Sequence, residues 1–214
     1  MQINLPKTLV LGVFLSSCCA LMAQDSTPAS KTKSAPEASS AMSMPMPQAA
    51  PEMTKMIKMM AGDWTVSEKA FPSPMMPNGG TGTGTATLTS GPGDLSLLEK
   101  YHSSGVMGPN FTGYGVFWWD SKMQAYHGVW CDNFTPGGCD ASSTSKWEGD
   151  KLVSTMKAEM DGKMNVTRFT YSDWSPTSFV MTMDMGPDES SLKPAMAITY
   201  TKLAASAMSG MRKK

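Results

Sequence analysis

The chain has 214 residues in which 18 Lys and Arg balance 18 Asp and Glu, so its formal net charge is zero. A neutral chain offers no electrostatic footprint for a polyanion, which excludes nucleic acid as an expected partner. Only two histidines, His102 and His127, are present, and no Gly-x-Ser-x-Gly elbow, His-Glu-x-x-His pair or phosphate loop occurs, so the commonest hydrolase, metalloprotease and nucleotide-binding classes drop out.

Residues 1–23 read as an export signal: Lys7 supplies the positive start, Thr8 to Leu15 an apolar run, and Ala20-Leu21-Met22-Ala23 a small-residue cleavage site. The run is too short to span a bilayer, which takes about 20 apolar residues. Leu15-Ser16-Ser17-Cys18 also reads as a lipobox, in which Cys18 is lipidated and tethers the mature chain to a membrane. Both routes put the mature protein outside the cytoplasm, in the periplasm, attached to the outer membrane, or secreted. Residues 24–52 form a Ser-, Ala-, Pro- and Met-rich linker without an aromatic residue, which cannot bury enough apolar surface to offset its ordering entropy. Met42, Met44 and Met46 in that linker are soft thioether ligands of the kind that select Cu(I), and copper handling is kept as a rival function; methionine also fills irregular cores and adaptable pockets. The expectation is that no resident cofactor is required.

Residues 53–202 are the size of one domain. Met53, Met56, Ile57 and Met60 share one helical face, so Met53–Met60 is predicted to be a short helix. Strand-like runs bounded by turn residues follow near 63–71, 81–90, 95–103, 111–119, 123–132, 139–147, 151–160, 163–172, 177–185 and 194–202. Asp161-Gly162 is the strongest turn between them, because a type I′ hairpin needs positive φ at both central residues. Phe179, Met181, Met183 and Met185 alternate with polar or outward positions, as Leu152, Met156, Ala158 and Met160 do, so each strand has one buried face. Thr81-Gly-Thr-Gly-Thr85 lacks the helix and lysine of a phosphate loop and reads as a Gly-softened strand where a barrel bends. The expected fold is all-β: a single antiparallel up-and-down barrel of about ten strands with a short N-terminal helix, since closure removes the exposed edges of an open sheet. Residues 203–214 form a flexible tail ending in Arg212-Lys213-Lys214.

Cys131 and Cys139 are the only cysteines of the folded part, and their spacing reads as a hairpin closed by a disulfide, which an oxidising compartment preserves. Two thiolates with His127 nearby form the metal alternative, short of the four ligands a structural zinc site normally shows.

Four segments, Met56–Trp64, Gly113-Tyr-Gly-Val-Phe-Trp-Trp-Asp120, Tyr126-His-Gly-Val-Trp-Cys-Asp132 and Ile198-Thr-Tyr-Thr-Lys202, resemble in order the bacterial domain-of-unknown-function family 1579. The resemblance implies a calycin-like barrel opened by Gly62-Asp63-Trp64. As in lipocalin-like barrels, it implies that Trp64 closes one end beneath a basic side chain from the last strand, here Lys202. Trp118-Trp119-Asp120 stands where the family has Gly-Tyr-Asp, and Cys131 sits inside its Trp-x-Asp element. The family carries no established activity, so the resemblance implies no catalytic residue. Nitrobindin-type calycin barrels hold haem through a histidine near the chain end; this chain has none after His127, which would have to serve as the axial ligand.

The functional expectation is therefore a small apolar or amphipathic ligand inside an exported barrel, with Tyr101, Tyr114, Phe117, Trp130, Met156, Met181, Met183 and Tyr200 as its walls. A barrel enzyme using His102, His127 and Glu99 is the alternative, and it requires those side chains to converge inside the barrel. A fully packed interior would instead favour a structural or interaction role.

Overall fold

A computed structural model describes residues 45–73, 76–140, 143–160 and 162–204. The export segment with Cys18, the linker through Met44 and the tail from residue 205 lie outside the described residues.

Helix α1 spans Pro51–Met60, with Pro51 in the first turn, where a missing N–H costs no hydrogen bond, and Met53, Met56 and Met60 buried on one face. Pro51 and Glu52, read from sequence as the end of the linker, form its first residues. Ten strands follow: β1 (Gly62–Ala70), β2 (Gly80–Ser90), β3 (Ser96–Gly105), β4 (Gly108–Asp120), β5 (Ala125–Asp132), β6 (Ser143–Glu148), β7 (Lys151–Met160), β8 (Lys163–Ser172), β9 (Ser178–Gly186) and β10 (Lys193–Lys202). Each pairs antiparallel with its neighbours in the chain, and β1 pairs with β10, so the sheet is a closed up-and-down barrel.

Turn chemistry sets several boundaries. Gly149 and Gly162 adopt positive φ in the β6–β7 and β7–β8 turns. Asp120 Oδ1 accepts hydrogen bonds from the Lys122 and Met123 N–H groups, and Gln124 takes φ 49°, so β5 starts at Ala125 rather than near 123. The sixth strand begins at Ser143, not 139, because Cys139 instead makes an isolated bridge to Cys131.

On β1 and β2 the inward rows are mostly apolar and the outward rows polar, whereas the outer faces of β3 and β4 expose Leu98, Tyr114 and Val116. On β1, Trp64, Val66 and Glu68 are buried between exposed Thr65, Ser67 and Lys69; on β2, Ala86 and Leu88 alternate with exposed Thr85, Thr87 and Thr89. A membrane-spanning barrel shows the reverse pattern. No helix among the described residues is long and apolar enough to cross a membrane.

The Gly-x-Trp element closes the end beneath α1. Gly62 has φ 148°, a conformation that calls for glycine, and Lys202 Cε packs 2.9 Å from where a Cβ would stand. Trp64 is fully buried, donates from Nε1 to the Met60 carbonyl at 3.0 Å, and meets Phe179 edge to face at 4.9 Å between centroids. Lys202 pairs with Trp64 across β1 and β10, and its Nζ lies 5.3 Å from the indole centroid. On the same end Tyr126 Oη donates to the Glu52 carbonyl, tying β5 to the helix.

Candidate functional site

Above this closed end the interior is not filled. A cavity of about 300 Å³ lies between the strands, at the low end of small-molecule pockets. Register dictates its walls. Tyr101 stands beside Gly113, Phe117 beside Gly128, Phe169 beside Met183, and Tyr171 beside Met181, so successive strands turn aromatic rings and thioethers to one space. Glycines on the inward rows give the rings room: a methyl group on Gly113 would collide with the Trp130 indole, and one on Gly128 would press on Phe117. Phe179 stacks on Tyr200 at 4.3 Å, and Tyr101 meets Phe111 and Trp130 at 6.1 Å, which fixes several of these rings against one another.

Two carboxylates face into this apolar space. Glu68 is 2% exposed and Glu99 4% exposed. Tyr101 Oη donates to Glu68 Oε1 at 2.6 Å, while Glu68 Oε2 is buried with no hydrogen-bond partner among the described residues. Gly82, opposite Glu68 on β2, leaves the niche this oxygen occupies, since a Cβ there would collide with it. Tyr200 Oη donates to Glu99 Oε1 at 3.2 Å. Burial pushes the Glu99 carboxyl up to about 7, against the smaller opposing effect of the Tyr200 hydrogen bond. Burial, and then the neighbouring carboxylates, hold the phenols of Tyr101, Tyr171 and Tyr200 protonated well above their ordinary range.

The mouth lies at the end opposite α1, where Met107, Asp132 and the exposed Asp140 complete the lining. The Cys131–Cys139 disulfide is formed, and it carries the β5 wall past Asp132: Asp140 N–H donates to the Trp130 carbonyl and Asp132 N–H to that of Gly138. Closing a loop with a sequence separation of 8 stabilises the fold by about 2.5 kcal/mol on the chain-entropy account. Asp132 Oδ2 accepts from Trp130 Nε1 at 2.8 Å, and Oδ1 from the Phe134 N–H at 2.8 Å. Burial raises the Asp132 carboxyl, but the hydrogen bonds from Thr135, Phe134 and Trp130 outweigh it and leave the group below its usual range. The Trp-x-Asp spacing thus puts indole and carboxylate on the same face of β5, where the acid fixes the ring at the cavity rim.

Of the wall residues expected from sequence, Tyr101, Phe117, Trp130, Met156, Met181, Met183 and Tyr200 line the cavity. Tyr114 does not: it is 55% exposed on the outside of β4. Tyr114 and Phe117 are three residues apart, and a strand of period two sends such a pair to opposite faces; the inward row is Phe111, Gly113, Gly115, Phe117. The same alternation separates the enzyme constellation. Glu99 faces in, whereas His102 is exposed on the outer face of β3 and His127 stacks on Trp118 outside β5, with Nε2 3.5 Å from Asp120 Oδ2. Glu99 therefore does not meet the two histidines inside the barrel, and His127 does not reach the cavity as an axial ligand. Met46 is 82% exposed, and its companions Met42 and Met44 lie outside the described residues. Among the described residues no group of three or more His, Cys, Asp or Glu is placed to hold a metal ion.

Sequence reasoning missed Glu68, Phe111, Phe169, Tyr171, Met107 and Met196 as lining residues. Period two from Trp64 would have found Glu68, and period two from Leu152, through its partner Tyr171, would have found Phe169. Met107 sits in the β3–β4 turn, where no periodicity applies.

No family model matches this chain, and no curated protein sequence is similar to it. Solved structures are similar to this chain at low identity. A protein of M. tuberculosis, Rv2717c, superposes with a TM-score of 0.48 and 11% identity over 73% of this chain and 100% of that one. The S-type phycobiliprotein lyase CPES from Guillardia theta gives 0.48 and 9% over 71% and 93%. A redesigned β-barrel, mFAP0, bound to DFHBI gives 0.37 and 13% over 67% and 99%.

Proposed function

We propose that this protein is an exported carrier or sensor that holds one small apolar or amphipathic molecule inside the barrel. The observation that carries the reading is the cavity of about 300 Å³, walled by aromatic rings and methionines and opening opposite the capped end. A ligand of matching outline would gain dispersion contacts with these apolar walls. The thioethers of Met156, Met181, Met183 and Met196 make the walls adaptable, which suits a ligand of irregular outline. The disulfide supports an oxidising compartment and the export signal of residues 1–23 the same location, in the periplasm or at the cell envelope. Lipidation at Cys18 would make the linker a tether. The four ordered motifs support membership of the domain-of-unknown-function family 1579.

The test is a titration with N-phenyl-1-naphthylamine, an uncharged dye that brightens in apolar surroundings. The expected result is saturable 1:1 binding with a Kd of about 10 μM, roughly −7 kcal/mol. Phe117→Ala and Met183→Ala each weaken it by about tenfold, and Tyr114→Ala leaves it unchanged. Binding that is non-saturable, or equally sensitive to Tyr114, rejects the cavity as the site.

A further inference from the structure

The cavity is mostly apolar, and the carboxyl groups among its walls say what kind of ligand fits. Glu68 and Glu99 turn their carboxyl groups inward from β1 and β3, and Asp132 and Asp140 add negative charge at the mouth. No lysine, arginine or histidine lines the cavity among the described residues. We propose that the cavity is built for an organic cation, a protonated amine or amidinium on a compact apolar body, whose N–H donors bond the Glu68 carboxylate, with Glu99 adding negative charge to the same cavity. The assignment rests on the reading that the barrel holds a small molecule, and it names the class.

Four observations converge on it. Glu68 Oε2 is a buried acceptor without a donor among the described residues, and leaving such a group unmet is costly. Tyr101 and Tyr200 already spend their hydroxyl protons on Glu68 Oε1 and Glu99 Oε1, so the protein's own donors hold the two carboxylates in place. The rings of Tyr101, Phe111, Trp130, Tyr171 and Tyr200 offer the faces that attract an organic cation. An anion would add repulsion in a dry site, a neutral hydrocarbon would leave Glu68 Oε2 unmet, and a hard metal ion would want six or more oxygens that the walls do not supply.

Glu99 makes the preference depend on pH. Its carboxyl titrates near 7, so a bound ammonium favours the ionised form and gains affinity as pH rises. The titratable groups interacting with it are Tyr101 on its own strand, Tyr171 from β8 and Tyr200 from β10, and Glu68 from β1 lines the same cavity. All three phenols stay protonated through neutral pH, so they do not oppose the change.

Calorimetric titration of the intact protein with three isosteric probes, 1-naphthylmethylammonium, 1-naphthylmethanol and 1-naphthoate, decides the matter. At pH 8 the ammonium is expected to bind at least about tenfold more tightly than the alcohol, with the carboxylate weakest. At pH 5.5 the advantage over the alcohol shrinks several-fold, and in Glu68→Gln it falls below about threefold at both pH values. Equal binding of alcohol and ammonium by the wild-type protein, or tighter binding of the carboxylate, overturns the proposal however the variant behaves. If the uncharged dye binds while the ammonium does not, the charge assignment alone fails; if neither binds, the ligand-holding reading fails with it.

Discussion

Trp64→Ala is expected to be the most damaging single truncation in the barrel. Trp64 is fully buried, touches Phe179, sits beneath Lys202 and bonds the helix through the Met60 carbonyl. Large-to-small changes at buried aromatic positions cost about 3–5 kcal/mol, since the surroundings only partly collapse into the space left. For a domain of this size that lowers Tm by roughly 6–20 °C. Trp64→Phe keeps a ring but loses the indole N–H, leaving the Met60 carbonyl short of a donor, and should cost about 1–2 kcal/mol. Paired thermal melts by circular dichroism measure both. A Trp64→Ala melt within 2 °C of wild type would show that the helix and barrel end are held by something else.

The second large effect is on the pH dependence of stability. In the folded barrel the Glu99 carboxyl titrates at about 7, above its ordinary value of 4.5, because burial disfavours the charge. Between those two values the folded protein holds a proton that the unfolded chain releases, so stability falls as pH rises through this window and levels off above it. The full difference is about 3 kcal/mol at 1.36 kcal/mol per pKa unit. Glu99→Gln removes the titration while keeping an acceptor for Tyr200 Oη. The variant is therefore expected to match wild type near pH 5 and to exceed it by about 2–3 kcal/mol at pH 8, read from urea midpoints at both values. A variant no more stable than wild type at pH 8 would mean that Glu99 is ionised at little cost in the folded barrel. A variant more stable than wild type at pH 8 would mean that the carboxylate is kept at a cost in stability, a trade expected where a residue serves binding.

Much of the fold was legible because it rests on local rules. The turns at Gly149 and Gly162, the alternation of Phe179, Met181 and Met183, and the helical face of Met53, Met56 and Met60 each follow from backbone geometry within a few residues. The site was legible where a strand's inward row is uniformly apolar, as on β9. It was not where that row mixes types. Along β4 the inward row sets two glycines between Phe111 and Phe117, so Tyr114 looked more like a wall than Gly113 or Gly115. On β1 nothing in the sequence singles out Glu68, because a charged residue is normally exposed. The glycines of β2 were recognised as barrel-shaping. That Gly82 leaves space for the Glu68 carboxylate became visible only with the register of β1 on β2. The separation of Glu99 from His102 and His127 is likewise a consequence of strand parity.

The central claim, that the barrel exists to hold a small molecule, is met most directly by native mass spectrometry of the mature protein purified from its own host. The expected result is one organic molecule retained per chain, of a size that a cavity of about 300 Å³ admits, released on unfolding. A folded, disulfide-closed chain carrying no added mass when the preparation is kept free of detergent and organic solvent would contradict it.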